Sequence, residues 1–233
     1  REDLVGLVLT HGHEDHLGAV RYLWPRLKCP VYATPFTAEL LASKVSGYDF
    51  RNDLEVIKVP LGERFSVGPF DLQYITTTHS IPEPNAIALR TKLGTVLHTG
   101  DFKIDTNPIV GEHFDAATLS EIGREGVLAV VCDSTNVFEE KGSGSESLLT
   151  ESLLNIVSQC TGRVAITTFA SNVARIQTAI DVAVQSDRHP ILVGRSMFRT
   201  VEVAQATGYL QSIPTLLSDR QVGFLPRDKV LLI

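Results

Sequence analysis

The sequence predicts an α/β fold, and three observations carry that prediction. Short apolar, β-branched runs recur along the whole chain. In the second half, VLAVVCD (127–133), RVAITTF (163–169), PILVG and KVLLI alternate with helical stretches over 147–160, 172–186 and 196–211, the pattern of parallel βα units. In the first half, titratable residues sit at the ends of the apolar runs, where one sheet edge can gather them into a pocket.

Taken in order, LVGLVLT (4–10) is too apolar for a half-exposed strand and reads as a buried one. Leu17 to Trp24 reads as a helix that Pro25 stops. VYAT is a short strand, and Thr34-Pro35 supplies an N-cap and a first-turn proline for a helix through Leu41. FDLQYITTT (70–78) alternates as a strand should and ends at His79. AIALRT and GTVLHTG are strands around the turn residues Leu93-Gly94, and Asp101 follows the second. On the helix over 172–186, Val173, Ile176, Ile180, Ala183 and Val184 share one face. EEKGSGSES (139–147) reads as a junction, which divides the chain into domains 1–138 and 139–233.

With 233 residues, 43% apolar and 21% charged, the chain is an ordinary globular one of one large or two modest domains. No apolar stretch approaches the ~18 residues of a membrane span, and no secretory signal is visible at Arg1. Cys29, Cys132 and Cys160 fit neither a disulfide framework nor a Cys-x-x-Cys knuckle, so they read as buried free thiols in a reducing cytoplasm. A net charge of −6 gives no general attraction to nucleic acid, so a polyanion would need a local positive site. The chain starts almost inside a strand and stops in the rising apolar run DKVLLI, as an internal piece of a longer protein would.

The strongest chemical signal is His11-Gly12-His13-Glu14-Asp15-His16, directly after the first strand. Neutral imidazoles and carboxylates are the usual ligands of Zn²⁺ and similar ions. In a loop after a strand, positions 11 and 13 can face one ion while 15 and 16 turn to a second, and Gly12 lets the backbone bend between them. Glu14 is expected to face solvent. One histidine alone would read as a capped or solvated side chain; H-x-H-x-D-H does not.

THGHEDHLGA resembles the signature of the metallo-β-lactamase fold, a family of two-metal hydrolases. Together with THSIPEP, LHTGDFKID, DSTN, TTFASNVARIQ and GRSM, it resembles the ribonuclease J family of the β-CASP branch over nearly the whole chain. The implied architecture is a partial metallo-β-lactamase-type αββα sandwich followed by part of a β-CASP-type parallel βα domain. The resemblance implies that His11, His13 and His79 hold one metal, that Asp15 and His16 hold the other, and that Asp101 bridges both. Asp15, His79 and Asp101 would thereby be catalytic. Two cations ~3.5–4 Å apart lower the pKa of a shared water, hold a hydroxide at neutral pH and neutralise a phosphodiester under in-line attack; Asp15 would orient that hydroxide. Zn²⁺ is the ligand-based choice and Mn²⁺ the alternative. His98 either supports the site from behind or is a buried, hydrogen-bonded histidine. His113 and His189 receive no role.

Asp133 and Ser134 stand at another strand end, and Ser171 and Asn172 start a helix whose N–H groups can receive a phosphate. Arg175 and Arg195 can contact a nucleic-acid backbone. Ordinary N-caps and surface arginines explain the same residues, and only the family resemblance favours RNA. It implies a cytoplasmic ribonuclease with endonuclease and 5′-to-3′ exonuclease action, a homodimer or homotetramer at full length. A β-CASP DNA nuclease and a small-molecule metallo-hydrolase are the alternatives, though the latter does not need the region from 139 onward. Family members use a further histidine on the second metal, from a distal motif with no match here. The expectation is therefore weak binding of the second ion and little turnover by residues 1–233 alone.

Overall fold

In a computed structural model that describes residues 3–140, 142 and 144–233, the chain divides into two compact units. The first runs to Thr106 and resumes at Gly111 up to the junction near residue 143; the second comprises Asn107–Val110 and Gly144–Ile233. Lys141 and Ser143, inside the predicted junction, lie outside the described residues.

In the first unit, β1 (Leu7–Val8) leads into two short helices, α1 (Glu14–Leu17) and α2 (Val20–Leu27), then β2 (Val31–Ala33), α3 (Pro35–Val45) and β3 (Val56–Lys58). The three strands form a parallel sheet in the order β1-β2-β3. Next come β4 (Arg64–Val67), β5 (Phe70–Thr76), β6 (Asn85–Thr91), β7 (Gly94–His98), α4 (Ala116–Glu125) and β8 (Ala129–Val131). They make a five-stranded sheet in sequential order, antiparallel except for the parallel pair β7–β8.

Strand alternation sorts the side chains into layers. Leu72, Tyr74 and Ile87, with Leu89, face Val8, Tyr32 and Ile57 of the parallel sheet, so one core lies between the sheets. Ile75, Ala86 and Ala88 point the other way and pack with Leu97 against Leu119 and Ile122 of α4. On the far side of the parallel sheet, α3 buries Phe36, Ala38, Leu40, Leu41 and Val45 and contacts β2 and β3. The result is the expected αββα layering. Each fully buried Leu, Ile or Phe contributes about 1.5–3 kcal/mol to holding it.

The second unit has α5 (Leu149–Ser158), β9 (Val164–Ala165), α6 (Val173–Gln185), β10 (His189–Ile191), α7 (Arg195–Ala206) and β11 (Val230–Leu232). Its strands are all parallel, in the order β10-β11-β9. Arg188, only 6% exposed, fixes where they begin. Its guanidinium donates to Gly162 O at 2.8 Å, Val230 O at 3.3 Å and Cys160 O, the backbone just before or at the start of β9 and β11.

Several local expectations give way. The first strand is shorter than 4–10, because Leu4 and Val5 are exposed. Pro25 lies inside α2 and does not stop it; it forfeits one i→i−4 bond, but so near the end that the helix needs only two more residues, and Lys28 N–H closes it on Trp24 O at 2.8 Å. The helix after Thr34 runs on to Val45. Val184 is 52% exposed, at the C-terminal end of α6 where the covering layer runs out. Of the three thiols, all unpaired, Cys29 is buried, Cys160 is half-buried and Cys132 is exposed. The strands β3 and β4 and the helix α4 come in addition to the elements read from sequence.

Candidate metal centre

The sheet topology explains why residues far apart in sequence meet. β5 and β7 both run antiparallel to β6, and β8 runs parallel to β7, so β5, β7 and β8 end on one edge. The end of β1 reaches that edge too, where Asn85 N–H at the start of β6 donates to Thr10 O at 3.1 Å. His79 follows β5 by three residues and Asp101 follows β7 by three.

Two glycines make the turns. Gly12 sits in a socket: a Cβ there would lie 3.1 Å from Leu40, 3.3 Å from Ile81 and 3.4 Å from Phe36. Gly100 has a left-handed φ of 59°, and a Cβ would meet Asn85 O at 2.7 Å, so Asp101 is presented from a backbone that only glycine allows. His13 is the N-cap of α1; its carbonyl accepts from His16 N–H at 3.1 Å and Leu17 N–H at 2.9 Å, and the fully buried Leu17 anchors that turn. Asp15 and His16 are thereby held on a helical turn beside the His11–His13 strand end.

The side chains converge. His13 Nδ1 lies 3.1 Å from both His11 Nε2 and His79 Nε2. Asp101 Oδ2 is 3.9 Å from His11 Nε2 and from His79 Nε2, while its other oxygen, Oδ1, is 3.3 Å from His16 Nε2. His16 Nε2 is in turn 3.5 Å from Asp15 Oδ2. Among the described residues, His11, His13, His79 and Asp101 form one potential ligand group and Asp15, His16 and Asp101 a second, each with ligand atoms within 4.8 Å of one another. One carboxylate thus serves both groups, an oxygen to each.

The donor set suits divalent cations. Bond lengths near 2.0–2.1 Å place tetrahedral ligand atoms roughly 3.3 Å apart, close to the observed separations. The outer nitrogens of two rings meet hydroxyls: Thr10 Oγ1 is 3.0 Å from His11 Nδ1, and Ser80 Oγ is 3.3 Å from His13 Nε2. N–H groups placed there leave lone pairs facing inward, an arrangement that a cation relieves. Burial, helped by the neighbouring rings, lowers the His11 pKa to about 2 and the His13 pKa to about 4; burial also lowers that of His79. All three are neutral at pH 7, as ligation requires.

Thr10 and Ser80 belong to the candidate site through these contacts, and sequence reasoning missed them. Thr10 Oγ1 also reaches His16 Nδ1 at 3.5 Å, so one hydroxyl touches a ring from each group. Its only signal was its place directly before His11. Tyr74 is a third such residue: buried among the sheets, its hydroxyl donates to Leu9 O at 2.8 Å and Tyr32 O at 3.2 Å, holding the strand that leads into the histidines.

The remaining candidates are placed as follows. His98 is exposed, not buried, and its Nδ1 accepts from Gly100 N–H at 3.0 Å, bracing the turn before Asp101. Glu14 is exposed but ion-paired, with Lys44 and with Arg21 at 3.6 Å. Asp133 Oδ1 accepts from Thr135 N–H at 2.9 Å and Thr135 Oγ1 at 2.7 Å, bonds that hold its carboxyl below the usual range. With Phe102, Ser134 and Asn136 it lines a hollow of about 290 Å³. The other four belong to the second unit. Asn172 caps α6 by accepting from Arg175 N–H at 2.9 Å, with Ser171 half-buried just before it. The Arg175 guanidinium is held by Glu146 at 2.9 and 3.1 Å, and Arg195 is exposed at the start of α7.

The sequence profile of the metallo-beta-lactamase superfamily matches residues 1–131, more than half of the chain. The chain belongs to the metallo-beta-lactamase superfamily. A profile described as "Ribonuclease J, beta-CASP domain" matches residues 161–233. Among curated superfamily relatives, proteins named Ribonuclease J are 46% identical in Sinorhizobium meliloti, over 100% of this chain and 41% of that protein. In Corynebacterium glutamicum the figure is 40%, over 97% and 32%. In Thermus thermophilus it is 35%, over 100% and 42%. The chain thus spans less than half the length of these relatives. A solved structure of a protein of unknown function from Enterococcus faecalis aligns with a TM-score of 0.68 at 17% identity, over 98% of this chain and 58% of that one, a likeness of fold. No helix among the described residues is long and apolar enough to cross a membrane.

Proposed function

We propose that this superfamily member supplies the metal-binding portion of a ribonuclease of the ribonuclease J type. His11, His13, His79 and Asp101 would hold one divalent ion, and Asp15, His16 and Asp101 a second. The observation that carries the reading is the division of Asp101 between the two groups. The relatives named Ribonuclease J make RNA the favoured substrate over DNA. Zinc suits the three-imidazole group and manganese is the alternative for the carboxylate-richer one.

When bound, the ions supply activation of a water at neutral pH and neutralisation of a phosphodiester's developing charge. The chain's own contribution is geometric and electrostatic. Thr10 and Ser80 fix the ring orientations, and burial keeps the rings unprotonated. Asp15, whose side chain is 76% exposed, would hold the second ion through one carboxylate oxygen and leave the other to accept a hydrogen bond from the attacking water. Asp133 and Ser134 beside their hollow, the cap at Ser171-Asn172, Arg175 and Arg195 are the proposed RNA contacts; RNA at Arg175 would have to compete with Glu146. For the full-length protein we propose a cytoplasmic homodimer or homotetramer. Three unpaired cysteines support a reducing compartment, and sedimentation of the full-length protein tests the assembly.

The test of function uses the full-length parent with 5′-monophosphorylated RNA and matched single-stranded DNA, with and without chelator. RNA should be degraded only when metal is present. RNA left intact in metal-replete buffer overturns the reading, and degradation of DNA alone replaces it with the DNA-nuclease alternative.

A further inference from the structure

The loop that carries His79, HSIPEPNA, contains a residue with no part in the metal cluster and an unusual setting. Glu83 is 5% exposed, stands between two prolines and has a φ of 57°. A left-handed backbone is costly for a residue with a Cβ, and a following proline favours extended conformations instead. Burying a carboxyl is costly as well unless it is hydrogen-bonded. Something must hold it there.

Its Oε2 accepts from Phe36 N–H at 2.7 Å, at the start of the eleven-residue α3. A helix N-terminus offers unsatisfied N–H groups and the positive end of its dipole, which suits a carboxylate. The residue in the N-cap position leaves that place open, since the Thr34 hydroxyl donates to Thr37 Oγ1 at 3.1 Å and makes no capping bond. On its other side, Glu83 O accepts from Asn85 Nδ2 at 2.8 Å, and Asn85 N–H donates to Thr10 O. The Glu83 carboxylate therefore joins the His79 loop to the N-terminus of α3. Its backbone carbonyl holds Asn85, the residue that ties the loop to the backbone just before His11. The socket of Gly12 is made from α3, through Phe36 and Leu40, and from the loop, through Ile81.

We infer that Glu83 is a positioning residue, a clamp that sets His79 against the His11–His13 strand end and so fixes the spacing of the three-imidazole group. This rests on the proposed ligation by those histidines. The clamp acts through an acceptor oxygen at a fixed reach. Gln keeps both reach and oxygen, Asp falls one methylene short, and Ala removes the contact.

The test is titration of the metal-free full-length protein with Co²⁺, followed by visible absorption, for Glu83→Gln, Glu83→Asp and Glu83→Ala. A denaturation series and the destabilising control Val67→Ala, in the core between the sheets, accompany it. Loss of a partner that orients a ligand costs about 10- to 100-fold in metal affinity. That loss, with an altered absorption band, is expected for Ala, a smaller loss for Asp and near-complete rescue by Gln. Should Ala fail to fold, the order of Gln and Asp still decides. Equal affinity and spectra across the series overturn the clamp, as does a Val67→Ala loss equal to that of Glu83→Ala at matched stability. A wild-type chain that takes up no cobalt overturns the metal reading itself and the clamp with it.

Discussion

Both units carry polar side chains at the ends of their strands, and the two sets are held in opposite ways. In the first, His11, His13 and His79 crowd their ring nitrogens together while hydroxyls hold the rings from outside. In the second, Asn172 is used up by Arg175 N–H, and the Arg175 guanidinium by Glu146. The first set converges on a common point that a cation would complete. The second satisfies itself. Polar groups that satisfy one another are the ordinary state of a folded surface, whereas buried groups organised around a common point signify a ligand.

The difference is broken most directly at Asp101. Its replacement by Ala removes a ligand from both groups, so metal content by mass spectrometry should fall from the wild-type value toward zero. The loss of affinity should exceed the roughly 100-fold expected from an outer partner. Arg195→Ala, on the exposed start of α7, should leave metal content unchanged. Unchanged metal in Asp101→Ala would remove the distinction between the units.

Acid probes the same contrast through proton linkage. His11 and His13 have pKa values of about 2 and about 4 in the folded chain against 6.5 in the unfolded one. Between those limits the unfolded state binds more protons, so stability is fully present above about pH 6.5 and is lost as the pH falls toward 4. Each such ring can remove up to about 1.4 kcal/mol per pH unit. Denaturation of the metal-free chain at pH 7, 5.5 and 4 measures it. A flat profile would show rings that are not buried together.

Much of this centre was legible in the sequence, because imidazoles and carboxylates carry their chemistry wherever they stand. H-x-H-x-D-H at a strand end, His79 after a threonine-rich strand and Asp101 after Gly100 are all where the apolar runs said a sheet edge should be. Thr10, Ser80, Tyr74 and Glu83 were not legible. A hydroxyl or a loop glutamate acquires its role only from what folds against it, and the partners of Tyr74 and Glu83 lie 65 and 47 positions away. The same holds for Arg188, whose three carbonyls come from segments that sequence cannot juxtapose. Pro25 and Val184 failed for a related reason: periodicity and breaker rules describe an isolated helix, and position within the helix decided both.

Tyr74→Phe sharpens the contrast within the first unit. It removes the donor to Leu9 O and Tyr32 O while keeping the ring in the core, at a cost of about 1–2 kcal/mol. Urea denaturation should show that loss, together with weaker Co²⁺ binding, because the freed strand leads straight to His11. A stability loss with unaltered cobalt affinity would make Tyr74 a core residue only.

Arg175→Ala is the smallest effect and tests the second unit on its own terms. The guanidinium is 30% exposed and its partner Glu146 is 13% exposed, so solvent screens the pair and its removal should cost less than ~1 kcal/mol. Metal content should not move. If Arg175 serves only Glu146, full-length protein carrying the substitution will bind RNA as the wild type does. If it exchanges Glu146 for a phosphate, affinity will drop and its salt dependence will flatten by about one counterion. That second outcome would mean that the satisfied appearance of this unit is its resting state, with the glutamate holding the place of a substrate phosphate.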